Sequence, residues 1–202
     1  MIFCIGNGKS RSNVDLDKLK KLGKIYGCNA LYRDFTPDKL ITNDSWMLKE
    51  LFEAEYTKDN PTYIVERKIE HYFPRDHKIY YFEDIMDIIF PIQSGLCAIR
   101  LAYHFHPQEQ IYMIGFDIFG DRDNIYDGTL NYNGGANFTT PGYPDAEEAW
   151  KVQEDTRRGQ FFLLKEQLCP GIRLTRVSDD NMGIENIDNI TYEQFEREIL
   201  WQ

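Results

Sequence analysis

Histidine is scarce: the chain has four, and none follows His106. The chain beyond residue 106 therefore carries no imidazole for acid–base work near neutral pH. Neither a Ser-His-Asp nor a Cys-His signature is recognisable. The four cysteines, Cys4, Cys28, Cys97 and Cys169, stand far apart, and no pair has metal-ligand spacing. They read as small buried hydrophobes of a reducing compartment. No apolar run approaches the roughly 20 residues that a membrane span needs. Basic residues are the minority, 23 Lys and Arg against 33 Asp and Glu, for a net charge of -10. That balance argues against a broad nucleic-acid-binding face, yet leaves room for a small basic site in an acidic shell. The first residues read as a strand with no signal-peptide pattern, which points to the cytoplasm.

Apolar content is 42%, with Tyr 13, Phe 13 and Trp 3, which marks a folded globular chain. A length of 202 residues suits one well-buried core, so a single domain over 1–202 is expected.

The sequence is organised around its first eleven residues, MIFCIGNGKSR. An apolar run over 1–5 stops at Gly6-Asn7-Gly8, and Lys9 and Ser10 follow. A buried strand ending in a glycine loop before a helix reads this way. Such a loop brings backbone N–H groups close to an anion and can seat a phosphate. An ordinary tight turn gives the same letters, since short glycine motifs recur by chance.

Further along, 15–22 reads as a short helix with Leu16, Leu19 and Leu22 on one face, ended by Gly23. Strands are expected at 24–29, 39–43, 62–65, 78–82, 110–115 and 172–177. Helices are expected at 46–56 with Ser45 as its cap, from Gln93-Ser94-Gly95 to 104, at 146–168, and at 191–201 capped by Thr191. The stretch 120–144 is rich in Gly, Asn, Asp, Thr and Tyr without periodicity, and reads as a flexible lid. Residues 179–189 read as loop. Strands alternating with helices imply an α/β fold, Rossmann-like, with a largely parallel sheet and helices on both faces. Ligands of such sheets bind beyond the carboxyl ends of the strands. Gly6 to Ser10, Asn29, Asp44, Ser94 and Gly115-Phe116-Asp117 all lie at or just past such ends.

These pieces resemble the bacterial sialyltransferases of glycosyltransferase family 42 and their phage-borne relatives. The matching segments are Gly6-Asn7-Gly8-Lys9-Ser10, Cys28-Asn29, Asp44, Ser94-Gly95 and the run from Ile111 to Asp117, with Tyr126-Asp127 following. They occur in the family's order over about 1–130. The resemblance implies a single nucleotide-binding domain with a lid. It also implies metal-independent transfer of a sugar from a nucleotide-sugar donor, a CMP-sugar by preference, to a hydroxyl of a glycan or a modified nucleobase. The nucleotide sugar is then a co-substrate, and no cofactor is implied. Gly6, Asn7, Gly8, Lys9, Ser10 and Asn29 would contact the nucleotide and its phosphate. Asp44 takes the place of a polar residue. Ser94, Gly95, Gly115, Phe116 and Asp117 would flank the cytidine, and Tyr126 would reach the phosphate as the lid closes. A phage origin would place the protein in a host cytoplasm.

The chain departs from that family in two places. The family's base is a histidine near the start of the long helix, where this chain has Glu154 and Asp155. Either carboxylate could take the acceptor's proton if burial raised its pKa; a solvated helix face is the plainer reading. Lys9 also replaces a proline of the loop, which suits a phosphate and opens the choice of donor. Asp121 and Asp123 fit a D-x-D metal pattern, but Asp15 and Asp17 form a second such triplet, and the reading adopted has no metal. Tyr132, Phe138 and Tyr143 could stack on a ligand or pin the lid. Two alternatives remain open: a non-catalytic nucleotide-sequestering protein, and another nucleotide-dependent transferase such as a pyrophosphokinase. Homo-oligomerisation is left open by the sequence.

Overall fold

The computed structural model describes residues 1–65, 76–87, 93–118, 124–129, 132, 146–180 and 182–201. Its strands are β1 (Ile2–Ile5), β2 (Lys24–Cys28), β3 (Lys39–Thr42), β4 (Thr62–Ile64), β5 (Ile79–Tyr81), β6 (Gln110–Ile114), β7 (Arg173–Val177) and β8 (Asp188–Ile190). All eight join one parallel sheet in the order β5-β4-β3-β2-β1-β6-β7-β8. Parallel neighbours need crossovers, and here the crossovers run outward from β1 to β5 and then from β6 to β8. The order reverses between β1 and β6, so the crevice at their carboxyl ends is the topological switch point.

Strand β1 shows why the sheet is covered on both sides. Ile2 and Cys4 join one apolar cluster, and Phe3 and Ile5 the other, as side-chain alternation dictates. The first cluster is closed by α4 (Ser94–Phe105) and α5 (Ala146–Leu163) through Leu96, Ile99, Phe161 and their neighbours. The second is closed by α1 (Leu16–Leu22), α2 (Ser45–Glu53), α3 (Tyr56–Asp59) and α6 (Tyr192–Phe195), through Leu16, Leu19, Met47, Tyr56 and Phe195. The α/β class and the parallel sheet thus stand as the sequence implies. The four cysteines are buried and free. Among the described residues no helix is long and apolar enough to cross a membrane.

Several local expectations are corrected. The glycine loop leads into a single 3-10 segment, Lys9–Asn13, rather than an α-helix. Asp44 occupies the cap position of α2, and Ser45 is already helical. The helix expected over 46–56 stops at Glu53, because Glu55 adopts φ +55° before α3 begins. The stretch read as loop over 179–189 contains the start of β8, whose pairing is supplied by β7. The long helix ends in a π-helical turn, Leu164–Leu168. Thr191 does cap its helix, in a capping box with Gln194.

The switch point is set by contact between two backbones. Gly6 N–H donates to the Ile114 carbonyl at 2.8 Å, and a Cβ on Gly6 would lie 2.3 Å from the Gly115 carbonyl oxygen. Gly6→Ala is therefore expected to destabilise the fold by about 1–3 kcal/mol through forced displacement of backbone. Gly159 in α5 has nothing within 4 Å of such a Cβ, so Gly159→Ala should raise stability by roughly 0.5–1 kcal/mol. Urea unfolding of both variants checks the pair, and opposite signs are the expected result.

Candidate functional site

The residues singled out at strand ends do come together. Past β1, Gly8 N–H donates to the Gly115 carbonyl at 2.9 Å. Ser10 N–H donates to Asp117 Oδ2 at 2.9 Å, and Ser10 Oγ donates to Asp117 Oδ1. Tyr192, at the start of α6, donates its hydroxyl to Ser10 Oγ at 3.0 Å. The Phe116 ring lies between two glycines: a Cβ on Gly6 would come 3.3 Å from it, and one on Gly95 would come 2.8 Å. The glycine loop and the Ser94-Gly95 pair thus share one end of the sheet.

This geometry leaves the glycine loop little capacity for a phosphate. The N–H groups of Gly6, Gly8, Ser10 and Arg11 all have partners within the protein, and the carboxylate of Asp117 takes the place an anion would want. The start of α4 differs. Gln93 occupies its cap position, and its own side chain makes no capping hydrogen bond. The twelve residues of α4 align their peptide dipoles toward Ser94. Ser94 Oγ accepts from Asn43 N–H at 3.1 Å, which ties this helix end to the end of β3.

An amide or acid side chain follows each of three adjacent strands. Asn7, 8% exposed, donates through Nδ2 to the Cys28 carbonyl at 3.3 Å and to Tyr132 Oη at 3.5 Å. Asn29, held in the left-handed region at φ +48°, donates through Nδ2 to Asp44 Oδ2 at 3.0 Å. The Oδ1 atoms of Asn7 and Asn29 are buried and receive no hydrogen bond. Leaving a buried acceptor unmade costs about 1–3 kcal/mol each, so each of these two oxygens carries a local penalty. Burial pushes the Asp44 carboxyl above the ordinary carboxylate value, and the Asn29 hydrogen bond pulls it part of the way back.

One wall of the site comes from 124–132. Ile125 N–H donates to the Asn7 carbonyl at 3.0 Å, and Asn124 bridges to Gly8. Tyr126 is buried at 6% exposure, donating to Asp34 Oδ1 at 2.5 Å and accepting from Arg11 Nη2 at 2.7 Å. Burial, then the Asp34 hydrogen bond, raises its pKa, so the phenol stays protonated. In this structure the Tyr126 hydroxyl is thus occupied by Arg11 and Asp34. Tyr132 packs edge-on against Trp46 at 5.6 Å. Arg33 lies over both tyrosine rings at 5.4 and 5.5 Å, pairs with both Glu50 oxygens at 2.7 Å, and donates to Thr129 Oγ1 at 2.7 Å. Among the described lid residues, 124–129 and Tyr132 are therefore fastened to the core. The remainder of 120–144, with Asp121, Asp123, Phe138 and Tyr143, lies outside the described residues, as does His71.

Glu154 is half-buried and Asp155 exposed on α5. Among the described residues, no hydrogen bond or ion pair joins either to the strand-end cluster. The three described histidines stand elsewhere. His104 and His106 close α4 at the end opposite Ser94, and His77 precedes β5 with Nδ1 2.6 Å from Thr57 Oγ1. Lys9 is exposed at the tip of the loop. Sequence reasoning missed Arg11, Arg33, Asp34, Glu50 and Trp46. The alternation of aromatic and charged residues in Leu31-Tyr32-Arg33-Asp34-Phe35 was the available signal.

Comparisons with protein-family models, with curated proteins and with solved structures find no match. Tyr126→Phe would leave Arg11 with only its 3.4 Å contact to Asp34 among these partners. Losing a hydrogen bond to a buried cation should lower stability by about 1.5–3 kcal/mol, measured by chemical denaturation. An unchanged midpoint would mean that the Arg11–Tyr126–Asp34 chain does not hold the wall.

Proposed function

We propose that the protein is a glycosyltransferase that binds a nucleotide-sugar donor, a CMP-sugar by preference, in the switch-point crevice. It passes the sugar to a hydroxyl of a glycan or modified nucleobase. One observation carries the reading. Two buried, unmet acceptors, Asn7 Oδ1 and Asn29 Oδ1, stand on neighbouring strand ends at the same end of the sheet as the uncapped start of α4. A nucleoside phosphate supplies the complement: ribose hydroxyls and a base amino group as donors, and a phosphate for the positive end of the helix. The ordered resemblance to sialyltransferase segments supports a nucleotide site made of the same residues, although it would put the phosphate at the glycine loop and the cytidine at Ser94 and Gly95.

On this reading the phosphate sits at Ser94 and Gly95 rather than in the glycine loop, and Gly6, Gly8, Gly115 and Phe116 shape the floor. Asp117 and Ser10 hold the loop closed. The leaving nucleotide carries developing negative charge, which helix N–H groups stabilise when they are already aimed. No cofactor enters the reaction.

A second reading is a nucleotide-sequestering protein without transfer. It is favoured by the positions of His77, His104 and His106, none of which stands at a carboxyl strand end. Release of CMP from a CMP-sugar distinguishes the two, since sequestration predicts binding without release.

Thermal unfolding with CMP, UDP, GDP or ADP tests the binding. At a hundred times its Kd, a ligand adds about 2.7 kcal/mol of stability. CMP is expected to raise Tm most, and Asn7→Ala to weaken that shift at least about tenfold in apparent affinity, given the hydrogen-bond energies above. No shift with any of the four nucleotides would overturn both readings.

A further inference from the structure

We propose that Asp44 is the general base that takes the acceptor hydroxyl's proton, with Asn29 as its positioning residue. The assignment rests on the transferase reading and names the group that reading lacks. Asp44 stands two residues past the end of β3, two strands from the switch point, in the cap position of α2. Its backbone is fixed on both sides: Asp44 N–H donates to Thr42 Oγ1 at 3.2 Å and Asn43 N–H to Ser94 Oγ at 3.1 Å, while the Asp44 carbonyl accepts from Leu48 N–H at 3.0 Å. The same serine opens the helix to which the phosphate is assigned.

The carboxylate itself is half anchored. Oδ2 receives Asn29 Nδ2 at 3.0 Å, whereas Oδ1 makes no hydrogen bond among the described residues. A general base needs this division, one oxygen to set its orientation and one left for the incoming proton. Asn29 reaches Asp44 from a left-handed backbone and keeps its own Oδ1 buried without a donor. Two local penalties maintained at one residue mark a position held for reasons other than stability.

The surroundings suit proton uptake. The titratable groups that face Asp44 are the Cys28 thiol at the end of β2 and the Tyr132 phenol on the opposing wall. Burial pushes Cys28 up to about 12 and raises Tyr132 further, so both are neutral near pH 7. Neither Lys nor Arg pairs with Asp44 among the described residues, and burial raises its carboxyl toward the working pH. Glu154 and Asp155, on α5, make no described contact with this cluster.

The step balances as follows. The acceptor O–H proton passes to Asp44 Oδ1 as the acceptor oxygen bonds the anomeric carbon. The bond from that carbon to the donor phosphate breaks, and the nucleotide leaves with the electron pair. Asp44 later yields the proton to solvent.

The experiment uses CMP-N-acetylneuraminic acid as the probe, with water as acceptor, and measures CMP release beside CMP binding by calorimetry. Asp44→Asn is expected to bind CMP within about threefold of the unmodified protein and to lose about 100-fold or more in release. Its unfolding midpoint at pH 7 should match or exceed that of the parent. A carboxyl whose folded pKa is raised binds more protons folded than unfolded, so it destabilises the fold as pH rises through that value. Release by the parent should fall toward acid as Asp44 protonates, and Asn29→Ala should move that limb to higher pH, because the hydrogen bond favouring the charged form is gone. Asp44→Asn releasing CMP within about threefold of the parent would overturn the base while the transferase reading stands. If Asp44→Asn does not fold, an acid limb unmoved in Asn29→Ala would overturn it instead. A parent that binds CMP but releases none would overturn both, in favour of sequestration.

Discussion

The structure depends on how closely β1 and β6 can approach at their carboxyl ends. Gly6 and Gly115 meet backbone to backbone, and no side chain larger than hydrogen fits between Gly6 and the Gly115 carbonyl. Gly115 takes φ +74°, a conformation that L side chains rarely adopt. This turn sends Phe116 toward Gly95 and Asp117 toward Ser10. Two features of the switch point follow from that turn: Asp117 closes on Ser10 of the loop, and Phe116 lies against Gly6 and Gly95.

Charge is then divided between holding and doing. Arg11 and Arg33 are buried or nearly so, and both help to fasten 124–129 and Tyr132 to the core through Asp34, Glu50 and two tyrosines. Buried ion pairs offer weak net stability, yet removing one partner is expensive, so they fix geometry more than they add to it. Asp44 is the contrast, a carboxylate at the same end of the sheet that receives an amide where Asp34 and Glu50 receive guanidinium groups.

Much of this arrangement was legible in the sequence. Apolar runs that stop at Gly6, Cys28, Thr42 and Ile114 mark strand ends, because a buried strand must shed its hydrophobic pattern where it leaves the sheet. The residues just past them, Asn7, Asn29, Asp44 and Gly115, were visible as polar or turn-forming punctuation. What was not legible is what depends on distant partners. Strand β8 has exposed Asp188 and Asn189 and reads as loop; it is a strand only because β7 offers an edge. The Arg33 clamp joins residues on either side of four strands, so no local spacing reveals it. That Asp117, far along the chain, accepts from the Ser10 N–H and hydroxyl is likewise invisible in the local pattern of the glycine loop. The role proposed for Asp44 rests on its single anchoring bond, which joins the ends of two strands.

The register of β1 bears on how the molecule is made. Ile2 pairs with Lys24 on one side and with Ile111 on the other. During synthesis the half from β1 to β5 can pair as it emerges, whereas the opposite flank of β1 waits for β6. Until then a fully apolar central strand presents an open edge, a known hazard for association between chains. The switch-point crevice, lying along that same seam, is the last part of the first six strands to exist, and it closes in the step that removes the hazard.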